Sequence, residues 1–209
     1  MNEKLINEIL SDLKLRQYRE KFPIPVGVSN RHVHFTIDDF KKLFGDTEPT
    51  LYRKIVQPGF YAANEKVSLI TDKGRFDNVR MIGPCRNYTQ IEISASDARA
   101  LGLNPPIRDS GKIESTPGIK ISGPKGEITT PKGVIISKRH IHFSPEDAKK
   151  LKIEDQQIVR VLCSIGTDKE TIYESVLCRV SEKYALEFHI DTDEANAAGL
   201  KTGDKVFII

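Results

Sequence analysis

The first twenty residues place apolar side chains at Leu5, Ile6, Ile9, Leu10 and Leu13, spaced by three and four among Glu, Asp and Lys. That spacing predicts an amphipathic helix over 3–18 whose apolar stripe needs a partner, and the body of the protein itself is the expected one. After Pro23 and Pro25 the pattern changes to short runs rich in Val and Ile, broken by Asp72-Lys73-Gly74, Gly123-Pro124-Lys125-Gly126 and Pro131-Lys132-Gly133. Such runs read as strands with turns, and Val67–Thr71 with Arg75–Met81 reads as a hairpin. Residues 104–133 are rich in Pro and Gly and lack helical periodicity, which predicts loop and hairpin. The whole is a mainly β pattern with short α-helices, suited to small barrels rather than a parallel α/β sheet.

An internal duplication organises this pattern. Residues 26–45 align without a gap on 134–153 with ten identities in twenty: Val26, Ser29, Arg31, His32, His34, Phe35, Asp39, Lys41, Lys42 and Leu43 recur 108 residues later. A weaker repeat pairs Ile91–Leu103 with Phe188–Leu200 and sets Glu92 against His189. Each half therefore carries a His-x-His pair, then one more metal-capable side chain just before a short helix opened by Ser, Thr or Asp.

All five histidines occupy repeat positions. On a strand, residues i and i+2 face the same side roughly 7 Å apart, so both imidazoles of a His-x-His can reach one ion. His32, His34, Glu92, His140, His142 and His189 make six nitrogen and oxygen donors, enough for two ions in a dinuclear site with open positions for water or substrate. Imidazole with one carboxylate and no cysteine favours Zn²⁺, with Mn²⁺, Fe²⁺ and Co²⁺ as alternatives. The competing reading makes each histidine a hydrogen-bonding group of the core; the duplication of both pairs argues against it.

Composition narrows the partners. The 209 residues carry a formal charge of only +3, with 38% apolar and 29% charged residues, so neither nucleic acid nor an anionic membrane is an expected partner. The N-terminus has charges within its first ten residues and reads neither as a secretory signal nor as a membrane span, which makes the cytoplasm the default. Cys85, Cys163 and Cys178 form no Cys-x-x-Cys pair and read as buried thiols in a reducing compartment.

Positive side chains flank the candidate donors. Arg31 and Arg139 precede the two His-x-His pairs, and Arg86 precedes Glu92 by six. Cations beside a metal site imply an anionic substrate, most simply phosphate or carboxylate, although Arg31 and Arg139 could equally be solvated strand ends. Cys85 beside Arg86 is a minor candidate nucleophile. Two other classes stay open. A cupin-like metalloenzyme would use Glu146, separated from His142 by three residues, but the first repeat has Asp38 there and the glycine pattern is missing. A non-enzymatic zinc-binding protein would leave Arg86 without a task.

The blocks V26-G-V-S-N-R-H-V-H-F, G83-P-C-R-N-Y-T-Q-I-E-I-S, V134-I-I-S-K-R-H-I-H-F and L186-E-F-H-I-D-T-D-E-A-N-A-A-G-L resemble, in order and spacing from about Pro25 onward, the signature blocks of the PduL-type phosphate acyltransferases, or phosphotransacylases. The resemblance implies reversible exchange of acyl-CoA and phosphate for acyl phosphate and CoA, with acetyl or propionyl as the acyl group. A thioester hydrolase is an alternative chemistry, with the cupin-like metalloenzyme the nearest other class. The resemblance further implies two closely packed β-barrels sharing two zinc ions, held by the same six donors, and interleaved so that 22–30 joins 138–209 around a central 31–137. By the same likeness Arg86 holds phosphate, and Ser29, Lys54, Arg80 and Asn196 contact CoA. Residues 1–21 stand outside this unit of about 25–209. Some relatives carry an N-terminal amphipathic segment for microcompartment targeting, so a microcompartment lumen, and a shell or cargo partner docked through residues 1–20, is an alternative to a free cytosolic enzyme. A homodimer is a further candidate assembly.

Overall fold

The computed structural model describes residues 3–209. In chain order these form α1 (Glu3–Arg19), β1 (Ile24–Ser29), β2 (His32–His34), α2 (Ile37–Phe44), β3 (Leu51–Lys54), β4 (Tyr61–Ile70), β5 (Arg75–Gly83), β6 (Gln90–Glu92), α3 (Ala95–Leu101), β7 (Ile107–Arg108), β8 (Ile119–Ser122), β9 (Glu127–Thr130), β10 (Val134–Ser137), β11 (His140–Phe143), α4 (Pro145–Leu151), β12 (Ile158–Cys163), β13 (Thr171–Val180), β14 (Glu187–Asp191), α5 (Thr192–Ala198) and β15 (Lys205–Ile208). The mainly β expectation with short helices holds. No described helix is long and apolar enough to cross a membrane.

The chain divides into two compact units. The first takes the described residues up to Val28, with Arg139–Ile190 and Glu194–Ile209; the second takes Ser29–Lys138 and Asp191–Asp193. In the first, six strands close a barrel in the order β1-β14-β11-β13-β12-β15. Closure depends on distant partners, since Ile24 pairs with Val206 and Val161 with Ile208. Its core gathers Ile24, Val26, Ile141, Phe143, Phe188 and Val206 with both Cys163 and Cys178. Burial pushes both of these thiols up to about 12, so they are inert packing groups, as the composition suggested.

The second unit is a nine-stranded sheet running β7-β10-β6-β2-β5-β4-β8-β9, with β3 on β4. Phe35, Phe40, Leu43, Leu69, Met81 and Ile91 are among the side chains filling its core. Asp72-Lys73-Gly74 turns between β4 and β5, where Thr71 N donates to Gly74 O at 2.9 Å. Gly123-Pro124-Lys125-Gly126 turns between β8 and β9, closed by Gly123 N on Gly126 O at 2.9 Å.

The duplication is visible as topology. In the second unit β2 pairs parallel with β5 and antiparallel with β6, and in the first β11 pairs parallel with β13 and antiparallel with β14. A short helix follows each histidine strand, capped by Thr36 Oγ1 on Asp39 N at 3.1 Å and by Ser144 Oγ on Asp147 N at 3.1 Å.

One expectation fails. Helix α1 forms as its periodicity requires, yet Leu5, Ile6, Ile9, Leu10 and Leu13 are 37–51% exposed, so the stripe is not packed on the body. The helix is attached through its last turn. The buried Arg19 donates from Nε to Leu151 O at 3.0 Å and from Nη2 to Lys152 O at 2.9 Å, and Tyr18 Oη donates to Lys150 O at 2.9 Å. Those carbonyls end α4 and lack intrahelical partners, so a guanidinium there satisfies them and complements the helix dipole. Periodicity defines an apolar face without specifying what covers it.

Candidate metal centres

Each repeat builds a grid on two neighbouring antiparallel strands. On β2 and β6, His32 stands opposite Glu92 and His34 opposite Gln90. On β11 and β14, His140 stands opposite His189 and His142 opposite Glu187. The alternation of strand side chains turns three corners of each grid to a common point. His32, His34 and Glu92 place ligand atoms within 4.8 Å of one another, and so do His140, His142 and His189. The six predicted donors thus assemble as two groups of three, each within its own unit.

The hydrogen bonds of the first group assign its tautomers. His32 Nδ1 lies 2.9 Å from Asn30 O, and His34 Nδ1 lies 2.9 Å from Ile82 O. A carbonyl only accepts, so each Nδ1 carries the proton and each neutral ring presents a bare Nε2. Those Nε2 atoms lie 3.7 and 3.8 Å from the two Glu92 oxygens. Three acceptors facing one space repel unless a cation joins them, and backbone carbonyls on the outer ring nitrogens are the usual support of metal-binding histidines. Titration reflects the same crowding. Burial disfavours charge on His32, yet the Glu92 carboxylate outweighs it and raises the ring's pKa. Burial, then Arg86 and His32, holds His34 well below its ordinary value. Burial also disfavours the Glu92 anion, but His32, His34 and Arg86 keep its pKa well below the usual carboxylate range.

Glu92 is held from behind. Gln90 Nε2 donates to its Oε1 at 2.6 Å and Ser110 Oγ donates to the same oxygen at 3.1 Å, while Gly111 N fixes Gln90 Oε1 at 2.7 Å. Arg86 Nη1 reaches Ser110 Oγ at 3.2 Å and Tyr88 Oη at 3.5 Å, which places the guanidinium beside the carboxylate. Its backbone N is tied to Phe35 O at 2.7 Å. Gln90, Ser110 and Tyr88 were not singled out from sequence, although Gln90 sits two residues before Glu92 on the same strand face.

In the second group the His140 and His189 rings stack at 4.9 Å, and Tyr184 stacks on His142 at 3.9 Å. Burial first, then His140, His189 and Arg179, lowers the pKa of His142 to about 2, so it is neutral and fit to ligate. The buried Nε2 of His189 makes no hydrogen bond. Three imidazoles, one with a buried ring nitrogen that makes no hydrogen bond, suit a borderline cation such as Zn²⁺. Tyr184 lies in the turn after β13, and no periodicity marked it.

Other sequence candidates are placed as follows. Arg31 and Arg139 are ion-paired: Arg31 forks onto Asp97 of α3 at 2.6 and 3.1 Å, and Arg139 meets Glu194 of α5 at 2.8 Å. Both brace the start of a His-x-His strand against the helix that follows the third donor, α3 after β6 and α5 after β14. Cys85 is half-buried, and burial raises its thiol pKa, with Glu48 and Glu65 adding to the shift; Arg86 does not activate it. Glu146 is exposed in the first turn of α4 and belongs to neither donor group, so no cupin-type set is assembled. Ser29 Oγ lies 3.2 Å from His32 Nδ1. Arg80, paired in register with His32, lies over the Tyr52 ring at 4.2 Å and donates to Ala63 O. Lys54 ends β3, exposed, and Asn196 is exposed on α5 in the other unit.

Two sets of nitrogen and oxygen donors on duplicated β-strand grids could each hold a cation, and a braced arginine stands beside one of them. The phosphate propanoyltransferase family model matches residues 25–201. A phosphate propanoyltransferase of Thermotoga maritima is 53% identical over 192 residues, covering 91% of this chain and 91% of the relative. Proteins of the same name from Salmonella typhimurium (43% identical, covering 94% of this chain and 90% of the relative) and Citrobacter rodentium (45% identical, 95% and 93%) are also similar. The chain belongs to the phosphate propanoyltransferase family and is an acyltransferase.

Proposed function

We propose that the protein exchanges the CoA of a short-chain acyl-CoA for inorganic phosphate, reversibly, with propionyl, the group in the relatives' name, ahead of acetyl. The observation that carries this reading is the braced Arg86, joined through Ser110 to a carboxylate that faces two bare imidazole nitrogens. We assign one cation, Zn²⁺ by donor type, to His32, His34 and Glu92, and one to His140, His142 and His189. A cation so bound supplies Lewis acidity that polarises a thioester carbonyl or steadies a departing thiolate.

The residues of the chain do the rest. Arg86 binds phosphate through its free N–H groups and points it at the thioester. Phosphate oxygen forms the new bond to the acyl carbon, the carbon–sulfur bond breaks, and CoA leaves as the thiolate. Phosphate is already an anionic nucleophile at neutral pH, so no enzyme nucleophile is needed, in keeping with the raised pKa of Cys85. Ser29, Lys54, Arg80 and Asn196 are assigned to CoA, the basic pair for its phosphates. The exposed stripe of α1 is assigned to docking on a helical shell or cargo partner.

The test is thiol release from propionyl-CoA with phosphate varied. Release should require phosphate, and Arg86→Ala should lower kcat/KM for phosphate by about 10²-fold or more while metal content and folding stay intact. Rapid release without phosphate would identify a thioester hydrolase instead.

A further inference from the structure

The two grids differ at one corner in a way that bears on the second metal centre. Strand β6 reads Gln90-Ile91-Glu92 and β14 reads Glu187-Phe188-His189, in the same register against their histidine strands. Each grid thus carries one carboxylate, at opposite ends of the same pair of positions. In the first, the corner facing the second histidine is Gln90, a neutral group that orients Glu92 at 2.6 Å. In the second, that corner is Glu187, buried, with Oε2 3.1 Å from His189 Nε2. The contact is as short as a hydrogen bond, yet that Nε2 makes no hydrogen bond. A ring nitrogen and a carboxylate oxygen that face each other without a shared proton are two donors for a third party, a cation.

Room for this carboxylate is built into the barrel. A Cβ at Gly27 on β1 would lie 2.7 Å from both Cδ and Oε1 of Glu187, so any other residue there would push the side chain off its place. A buried carboxylate 3.1 Å from a ring nitrogen supplies counter-charge to a cation held there.

We propose that Glu187 is the carboxylate of the three-histidine centre: it faces the ligating Nε2 of His189 and offsets the charge of the cation, as Glu92 does in the other centre, with Gly27 admitting it. This rests on the metal-binding reading above. The expected effect of its loss is that seen when supporting groups of metal ligands are removed, about 10–100-fold in metal affinity.

The test isolates the second centre in His32→Ala protein, whose first centre is broken. Zn²⁺ affinity is measured by competition with a chromophoric chelator, and the visible spectrum is recorded after Co²⁺ loading. Glu187→Gln, of the same shape, should weaken the remaining site about 10–100-fold and alter the Co²⁺ bands, and Glu187→Asp should restore part of the affinity. Gly27→Ala should give the same defect but add nothing to Glu187→Ala, since the residue it displaces is already gone. Unchanged affinity and spectrum in Glu187→Gln would overturn the inference, as would additive losses for Gly27 and Glu187. If His32→Ala protein with Glu187 intact binds no metal at all, the metal reading itself fails.

Discussion

The Arg31–Asp97 pair gives a prediction that separates bracing from anion binding. The Asp97 side chain is 6% exposed, whereas that of Arg31 is 32% exposed. Removing the arginine strands a buried carboxylate whose remaining partner is the Ser94 backbone N at 3.4 Å, while removing the aspartate leaves a guanidinium that can turn to water. Breaking a fully buried pair costs about 3–5 kcal/mol, and the partly exposed arginine puts Arg31→Ala at the lower end, about 3 kcal/mol. Asp97→Ala loses its half of the α3 capping box and the charged fork, and should cost less, about 1–2 kcal/mol. At about 2–4 °C per kcal/mol for a chain of this size, Arg31→Ala should lower Tm by about 6–12 °C and Asp97→Ala by about 2–8 °C. Thermal melts of the metal-loaded proteins, with phosphate saturation curves alongside, provide the assay. Both variants should keep the phosphate KM of the wild type. An Arg31→Ala protein that melts like wild type but needs far more phosphate would refute the bracing argument and make Arg31 part of the anion site.

Three further outcomes follow from the same contacts. Deleting residues 1–15 removes the exposed stripe but spares Tyr18 and Arg19, so it should cost about 1–2 kcal/mol, against about 7–15 kcal/mol were those five side chains fully buried; a Tm drop beyond about 15 °C would show the stripe covered in solution. Cys85→Ala should retain turnover, and alkylation of Cys85 should become appreciable only above the pH at which a free thiol reacts, because burial raises its pKa; fast alkylation at neutral pH would contradict this. Ser110→Ala unlinks Arg86 from Glu92 and should raise the phosphate KM while weakening Zn²⁺ at the first centre about 10-fold, read by chelator competition; unchanged values for both would remove Ser110 from the site.

How much of this was legible in the sequence differs by residue. The His-x-His pairs and the third donors were legible because duplication exposes them and because a period of two fixes which side chains share a face. Barrel closure was not, since Ile24 and Val206 are brought together by the fold and nothing local in β1 names β15 as its partner. Arg31 and Arg139 read as free cations because a sequence shows charge without its partner, and Asp97 and Glu194 lie 66 and 55 residues away. Gln90 and Glu187 could have been found, as the weaker repeat extends one position earlier than the aligned block and pairs them. Tyr184, reaching His142 from a turn, left no periodic signal.

The central claim is that both donor groups hold a cation needed for phosphate-dependent acyl transfer. Its most direct measurement is metal content per chain together with phosphate-dependent CoA release, for wild type, His32→Ala and His140→Ala. The account predicts one equivalent of zinc per donor group in the wild type, loss of the corresponding equivalent in each variant, and turnover lowered by about 10²-fold or more in both. Wild-type protein that turns over fully without metal, or either variant keeping full metal and near-normal turnover, would contradict it.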